Sequence, residues 1–158
     1  MFSLDLAVDR YTSMGISNDA REFLDAAHLV RREKPVWFAP TYFLVCQSIE
    51  LSLKAYLRGS GYSDKQLRRL GHDLDACIAA ARATGVESHV SLSEVDVAAV
   101  AVINSYYHSK DLQYSTSGYK SYPPPESLLA LAERLWKSLR TFCIEHRDHH
   151  VGEATAIA

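Results

Sequence analysis

The 158-residue sequence predicts a single all-α domain, an up-and-down bundle of four to five helices. Three observations predict it. Apolar residues recur at helical spacing in segments separated by glycine and proline breaks. One segment, from Thr41 to about Arg58, is apolar on nearly its whole circumference and reads as a central, buried helix. Capping signals precede several of the segments. An apolar fraction of 47% supplies a core for one domain of this length, spanning about residues 18–146, with a frayed tail over about 150–158.

The segment 1–17 is short and mixed and ends in the turn-like Met14-Gly15-Ile16-Ser17-Asn18. Ser17 or Asn18 caps a first helix to about Arg32, with Phe23, Ala26, Ala27 and Val30 at helical spacing. Pro35 and Pro40 bracket a break whose two aromatics, Trp37 and Phe38, are expected to pack down. The central helix follows, its narrow polar strip made of Gln47, Glu50, Lys54 and Arg58, and Gly59-Ser60-Gly61 ends it. Ser63 with Gln66 forms a capping box for a short helix closed at Gly71. Asp73 caps the next, which turns Leu74, Cys77, Ile78 and Ala81 inward and stops at Gly85. Ser91 with Glu94 forms a second capping box before a stretch to about Lys110. Its unbroken apolar run, Val97–Ile103, favours helix by its length and alanines, with a buried strand as the alternative. Residues 111–122 read as a polar, tyrosine-bearing loop, and Pro123-Pro124-Pro125 sets the start of the last helix. That helix carries the stripe Leu128, Leu131, Ala132, Leu135, Leu139, Phe142 and Cys143.

The formal net charge of −2 gives no global attraction to polyanions, so a nucleic-acid role needs a local basic patch. Cys46, Cys77 and Cys143 form no Cys-x-x-Cys pair and sit in apolar stretches, which argues against a thiolate zinc site and for a reducing compartment. The N-terminal MFSLDLAVDR lacks the basic region of a signal peptide, and no stretch approaches the length of a membrane span, so a cytoplasmic protein without membrane contact is expected.

Glu50 and Lys54, four residues apart with the acid first, suit a helical ion pair. On so apolar a helix the pair is expected to be partly desolvated, with His72 and Asp73 as candidates to join it, either fixing register or meeting a ligand. Lys110, Tyr114, Tyr119, Lys120 and Tyr122 interleave cations and aromatics, the combination that grips phosphates and unstacked bases; tyrosines packed on the bundle are the alternative. Lys65, Arg68 and Arg69 form a smaller basic turn. His146, His149 and His150 with Asp148 could gather at a helix end, but without Cys or a set ligand spacing they read as a solvated tail, so no metal and no cofactor is expected.

FLVCQSIELSLKAYL at residues 43–57, followed by Gly71-His72-Asp73-Leu74, resembles the HEPN (higher eukaryotes and prokaryotes nucleotide-binding) family. There a helix with an E-L-x-x-K-x-x-L arrangement precedes a His-Asp-Leu helix start. Tyr106 to Tyr114, which includes His108, Lys110 and Gln113, occupies the place of that family's tyrosine and Arg-Tyr-Pro stretch, so the resemblance covers about residues 20–145. It implies a helical bundle, a homodimer with a shared groove, and a nucleotide or RNA as ligand. Glu50, Lys54, His72, His108, Lys110, Tyr114 and Lys120 are then the candidate binding residues. Many members are ribonucleases, often toxins paired with a nucleotidyltransferase, whose signature is an Arg followed four to six residues later by His. His suits removal of the 2′-hydroxyl proton and Arg suits the phosphorane charge. In this sequence Lys110 and Gln113 stand where arginine would, and the spacing is met by Arg140 and His146 in RTFCIEH, the candidate catalytic pair. Three functions follow: a non-catalytic nucleotide- or RNA-binding domain, a metal-independent endoribonuclease, and a protein-interaction or dimerisation module.

Overall fold

Thr12 opens the first described helix: its hydroxyl accepts the Gly15 N–H and so satisfies one of the orphan donors of the first turn. The computed structural model describes residues 11–114 and 118–148. In these, α1 spans Ser13–Glu33, α2 Phe38–Gly59, α3 Asp64–Leu70, α4 Leu74–Ala83, α5 Glu94–Tyr107 and α6 Pro125–Glu145, with a 3-10 turn at Val86–Ser88. No strand occurs among the described residues, so the fold is all-α and the strand alternative for Val97–Ile103 is set aside.

The run Met14 to Asn18 is helical, not a turn. Ser13, Gly15 and Ser17 are buried there, and small side chains let this end of α1 sit close to α2; the Ser13 hydroxyl donates to the Ala55 carbonyl at 2.6 Å. Pro40 lies inside the first turn of α2, where a missing N–H costs nothing. The capping box before α5 is Ser93 with Asp96, two residues after the expected Ser91 and Glu94. Buried Leu92 holds the chain extended up to Ser93, and the Arg134 guanidinium pairs with Asp96 at 2.6 Å. α5 stops at Tyr107 and not near Lys110, because Lys110 takes the left-handed conformation (φ 66°) and the Asp111 N–H turns back to the Tyr106 carbonyl. The Ser63–Gln66 box and the Asp73 cap are where the sequence places them.

Helix directions follow from named contacts. Ser13 at the start of α1 meets Ala55 near the end of α2, and Arg31 near the end of α1 pairs with Glu126 at the start of α6. Tyr42 at the start of α2 donates to the Pro123 carbonyl, while Tyr56 near its end packs on Phe142. α1 therefore runs antiparallel to both α2 and α6. Tyr106 at the end of α5 meets Tyr122 just before α6, and Asp96 at its start meets Arg134, so α5 and α6 are antiparallel too. α2 touches every other described helix. Its Val45, Cys46, Ile49, Leu53 and Leu57 are fully buried, the centre of a core completed by Leu24, Leu74, Cys77, Val100, Ile103, Leu128, Leu131, Leu135 and Leu139. No described helix is long and apolar enough to cross a membrane.

Two ends of the molecule are thereby defined. One gathers the end of α1, the start of α2, the end of α5 and the start of α6. The other gathers the start of α1 and the ends of α2 and α6. At the second end Gly59 permits close approach: a β-carbon there would lie 2.8 Å from the Phe142 ring and 2.9 Å from the Ser13 hydroxyl. Alanine in an open helix position is worth about 1 kcal/mol over glycine. At this position the sign is expected to reverse, with Gly59→Ala lowering the unfolding free energy by about 1–3 kcal/mol through overpacking. Urea unfolding checks this, and a gain in stability would refute the close approach.

Candidate functional site

The structure brings Glu50, Lys54 and His72 together. Glu50 is 2% exposed, and its carboxylate is fully engaged. Lys54 Nζ donates to Oε1 at 2.6 Å, the Tyr107 hydroxyl donates to Oε2 at 2.6 Å, and His72 Nδ1 lies 3.0 Å from Oε2. The Lys54 ammonium also donates to the Gly71 carbonyl at 2.6 Å, which ties the α3–α4 connection to α2. Burial, together with the adjacent Glu50 charge, raises the Tyr107 hydroxyl well above the ordinary tyrosine range, so it stays protonated and serves as a permanent donor. His72, by contrast, has 58% of its side chain exposed. With Nδ1 against the carboxylate, Nε2 is the ring nitrogen left to face outward. Chemically, this is a buried carboxylate paired with one ammonium and bonded by one phenol, with an exposed imidazole resting on it.

Asp73 joins the neighbouring helix start and not Glu50. Burial would raise its carboxyl, but hydrogen bonds from the Ala76 N–H and the Asn104 amide, with His108 nearby, hold it below the ordinary range. Asn104 is buried, accepts the Leu74 N–H and donates to Asp73 and Asp75, locking α5 onto the start of α4. Sequence reasoning missed Asn104 and Tyr107. A polar residue directly after an unbroken apolar run marks the first. Nothing local marks the second, since its partner lies 57 positions away.

Tyr114 and Lys120 come together elsewhere, at the end of the molecule that holds the start of α2. A cleft of about 410 Å³ is lined there by Ala39, Asp111, Gln113, Tyr114, Lys120 and Tyr122, among others. Tyr122 stacks on Tyr42 with ring centroids 4.8 Å apart and meets Tyr106 edge-on, which gives the cleft a rigid aromatic floor. Lys120 Nζ sits 6.0 Å from the centre of the Tyr106 ring. Tyr114 is 66% exposed on the rim, and Tyr119 is exposed as well. The packed-tyrosine alternative therefore holds for Tyr122, and not for Tyr114 or Tyr119. Lys110 is exposed one turn away, its carbonyl accepting the Gln113 and Tyr114 N–H groups; His108 is exposed at the end of α5. The site expected between the Glu50 helix, His72 and this loop is thus two arrangements, with Tyr107 turned toward Glu50 and Tyr106 toward the cleft.

Arg140 and His146 lie at the opposite end. The Arg140 guanidinium is 5.7 Å from the Trp136 ring and reaches the Met14 carbonyl at 3.5 Å. The His146 imidazole stacks on Phe142 at 4.0 Å with Nδ1 near the Phe142 carbonyl. Six residues along a helix separate the two side chains by about a third of a turn, and each is engaged by different neighbours. Lys65, Arg68 and Arg69 are exposed on α3 and make no ion pair among the described residues. His149 and His150 lie outside the described residues. Among those described, no group of three His, Cys, Asp or Glu is placed to hold a metal ion. The three cysteines are buried and unpaired, and burial pushes the Cys77 thiol up to about 12, so it is inert near neutral pH.

Compared with protein-family models, with curated proteins and with solved structures, the chain matches none.

Proposed function

We propose that this chain is a HEPN-type helical bundle that binds a nucleotide or RNA, without catalysing its cleavage, in the cleft between Tyr114, Lys120 and the start of α2. The observation that carries this reading is the cleft itself, a concave surface with an aromatic floor, an exposed tyrosine on its rim and a lysine over one ring. A base stacks on Tyr114 and a phosphate meets Lys120, with Lys110 near the same loop. Glu50, Lys54 and Tyr107 serve the fold, because their polar atoms are already matched to one another. A homodimer belongs to this reading through the resemblance. The exposed small apolar residues Val95, Ala98, Ala101 and Val102 on α5 give it a surface, which sedimentation of Val102→Glu tests.

A thermal shift tests the binding reading. A ligand that binds only the native state raises stability by about 2.7 kcal/mol at a hundred times its Kd, a rise of roughly 5–10 °C for a domain of this size. The expected result is such a rise with adenosine triphosphate or short RNA. Tyr114→Ala is expected to weaken binding by about 1–3 kcal/mol, and Lys120→Ala to lower the salt dependence by about one phosphate contact. No shift with either ligand would reject the reading. The endoribonuclease reading, and the nucleotidyltransferase partner that goes with it, lack comparable support, since Arg140 and His146 are at the far end from the cleft and face different neighbours.

A further inference from the structure

Residues 32–40 are exposed without a break, and among them are three consecutive large apolar side chains: Val36 at 73%, Trp37 at 52% and Phe38 at 49%. The two aromatics do not pack down as the sequence suggests. Single exposed apolar residues are ordinary on a surface, but a contiguous aromatic patch marks a place where something binds. The corner is not loosely attached. The Arg31 guanidinium bonds both Glu126 on α6 and the Pro35 carbonyl, and the Tyr42 hydroxyl donates to Pro123. These bonds fix the α1–α2 connection beside the start of α6. Ala39, the residue after Phe38, lines the cleft that holds Tyr114 and Lys120. The aromatic patch therefore adjoins the cleft through Ala39.

Cations outnumber carboxylates on this surface. Arg31 and Arg32 are paired with Glu126 and Glu33. Lys34, Lys110 and Lys120 have no carboxylate partner among the described residues. Two of these lysines lie against rings, Lys34 5.5 Å from the centre of Trp37 and Lys120 6.0 Å from that of Tyr106. Asp111 is the carboxylate on the cleft wall. Unpaired cations interleaved with exposed ring faces fit a chain that alternates phosphates and planar bases, and they fit no uncharged apolar partner as well.

We propose that the occupant of this surface is a single-stranded RNA and not a lone nucleotide, with one base on Tyr114 and a further base on Trp37, and with Lys34 and Lys120 meeting phosphates at the two ends of the track. This rests on the reading of the Tyr114 cleft as a nucleotide site, and it enlarges that site across the α1–α2 corner. A mononucleotide occupies the cleft alone; a strand also covers the corner.

Trp37 reports on its own occupancy. The chain has two tryptophans, and the other, Trp136, is half-buried with its Nε1 donating to the Ser17 carbonyl, so Trp136→Phe leaves Trp37 as the sole indole. In that background, uridine monophosphate and an oligouridine of about six nucleotides, within the usual footprint of such platforms, are titrated side by side. The oligonucleotide is expected to quench Trp37 and to bind at least about ten-fold more tightly than the mononucleotide. Trp37→Ala, followed by fluorescence anisotropy of a labelled oligonucleotide, is expected to weaken that binding roughly 5- to 150-fold while leaving mononucleotide affinity unchanged, with Trp37→Phe restoring most of the loss. Equal affinity for the two ligands, or an unchanged oligonucleotide affinity in Trp37→Ala, overturns the enlarged track. If mononucleotide binding still depends on Tyr114 in that case, the cleft reading stands. Binding of neither ligand by the parent protein removes both. Should Trp37→Ala instead convert a sedimenting dimer to monomer without changing oligonucleotide affinity, the corner is a subunit interface and the proposal fails.

Discussion

Glu50→Ala is expected to lower the unfolding free energy by about 3–5 kcal/mol, the usual cost of leaving one half of a buried ion pair without its partner. Three groups lose their acceptor together: the Lys54 ammonium, the Tyr107 hydroxyl and the His72 ring nitrogen. Lys54 keeps only the Gly71 carbonyl, and the buried Tyr107 hydroxyl is left unsatisfied. Replacing both charges with apolar groups of similar size, Glu50→Leu with Lys54→Met, is expected to cost less than Glu50→Ala alone, because no uncompensated charge then remains in the interior. His72→Ala should stay within about 1 kcal/mol, since that imidazole is mostly in water and its site is solvent-screened. Urea unfolding followed by circular dichroism measures all three. A loss below about 1 kcal/mol for Glu50→Ala would mean that the carboxylate is solvated, and would return it to the candidates for ligand binding.

Ile103→Ala and Val102→Ala, adjacent positions on α5, are expected to differ by several-fold in cost. Ile103 is fully buried in the core, and truncating such a side chain typically costs about 2–5 kcal/mol through lost transfer energy and a residual cavity. Val102 is about half exposed, and its truncation should stay within roughly 0.5 kcal/mol in the monomer. The same unfolding measurement compares them. Equal costs would show that α5 is rotated or that its outer face is covered. A Val102 cost that grows with protein concentration would identify that cover as a second copy of the chain.

The helices differ in how far they are legible in the sequence. α6 reads directly, because its leucines recur at 3.6-residue spacing and its start is set by three prolines. α3 and α4 read directly as well, since Ser63, Gln66 and Asp73 act on backbone groups within three residues. α5 gives only its existence. An unbroken apolar run has no period, so nothing in Val97–Ile103 tells which residues face in; packing against α4 and α6 decides that Val100 and Ile103 do. The start of α1 fails for the opposite reason. Ser13, Gly15 and Ser17 look like turn residues, and their use as a small, buried surface against α2 is a tertiary fact.

The candidate site divides the same way. Glu50, Lys54 and His72 meet, as the four-residue spacing within α2 and the place of His72 just before α4 suggest, but their internal matching depends on Tyr107, brought in from α5. Lys120 and Tyr114 line one cleft; the aromatic–basic alternation of their loop is equally consistent with packed tyrosines, and the exposure of Tyr114 decides between them. What the sequence could not supply is which end of the bundle each segment occupies. Arg140 and His146 satisfy a spacing, yet the directions of α1, α2 and α6 put them at the end away from the cleft. Trp37 and Phe38 look like linker residues that should pack down, and the same directions set them exposed beside the cleft.

Amide hydrogen exchange with and without a short single-stranded RNA tests the central claim most directly. The expected result is added protection in two segments far apart in sequence, 34–40 and 106–114, with the Lys120 region joining them and the Arg140–His146 end unchanged. Protection appearing at the Arg140–His146 end, or around His72 alone, would contradict the claim and move the site to the other end of the molecule or to the Glu50 network.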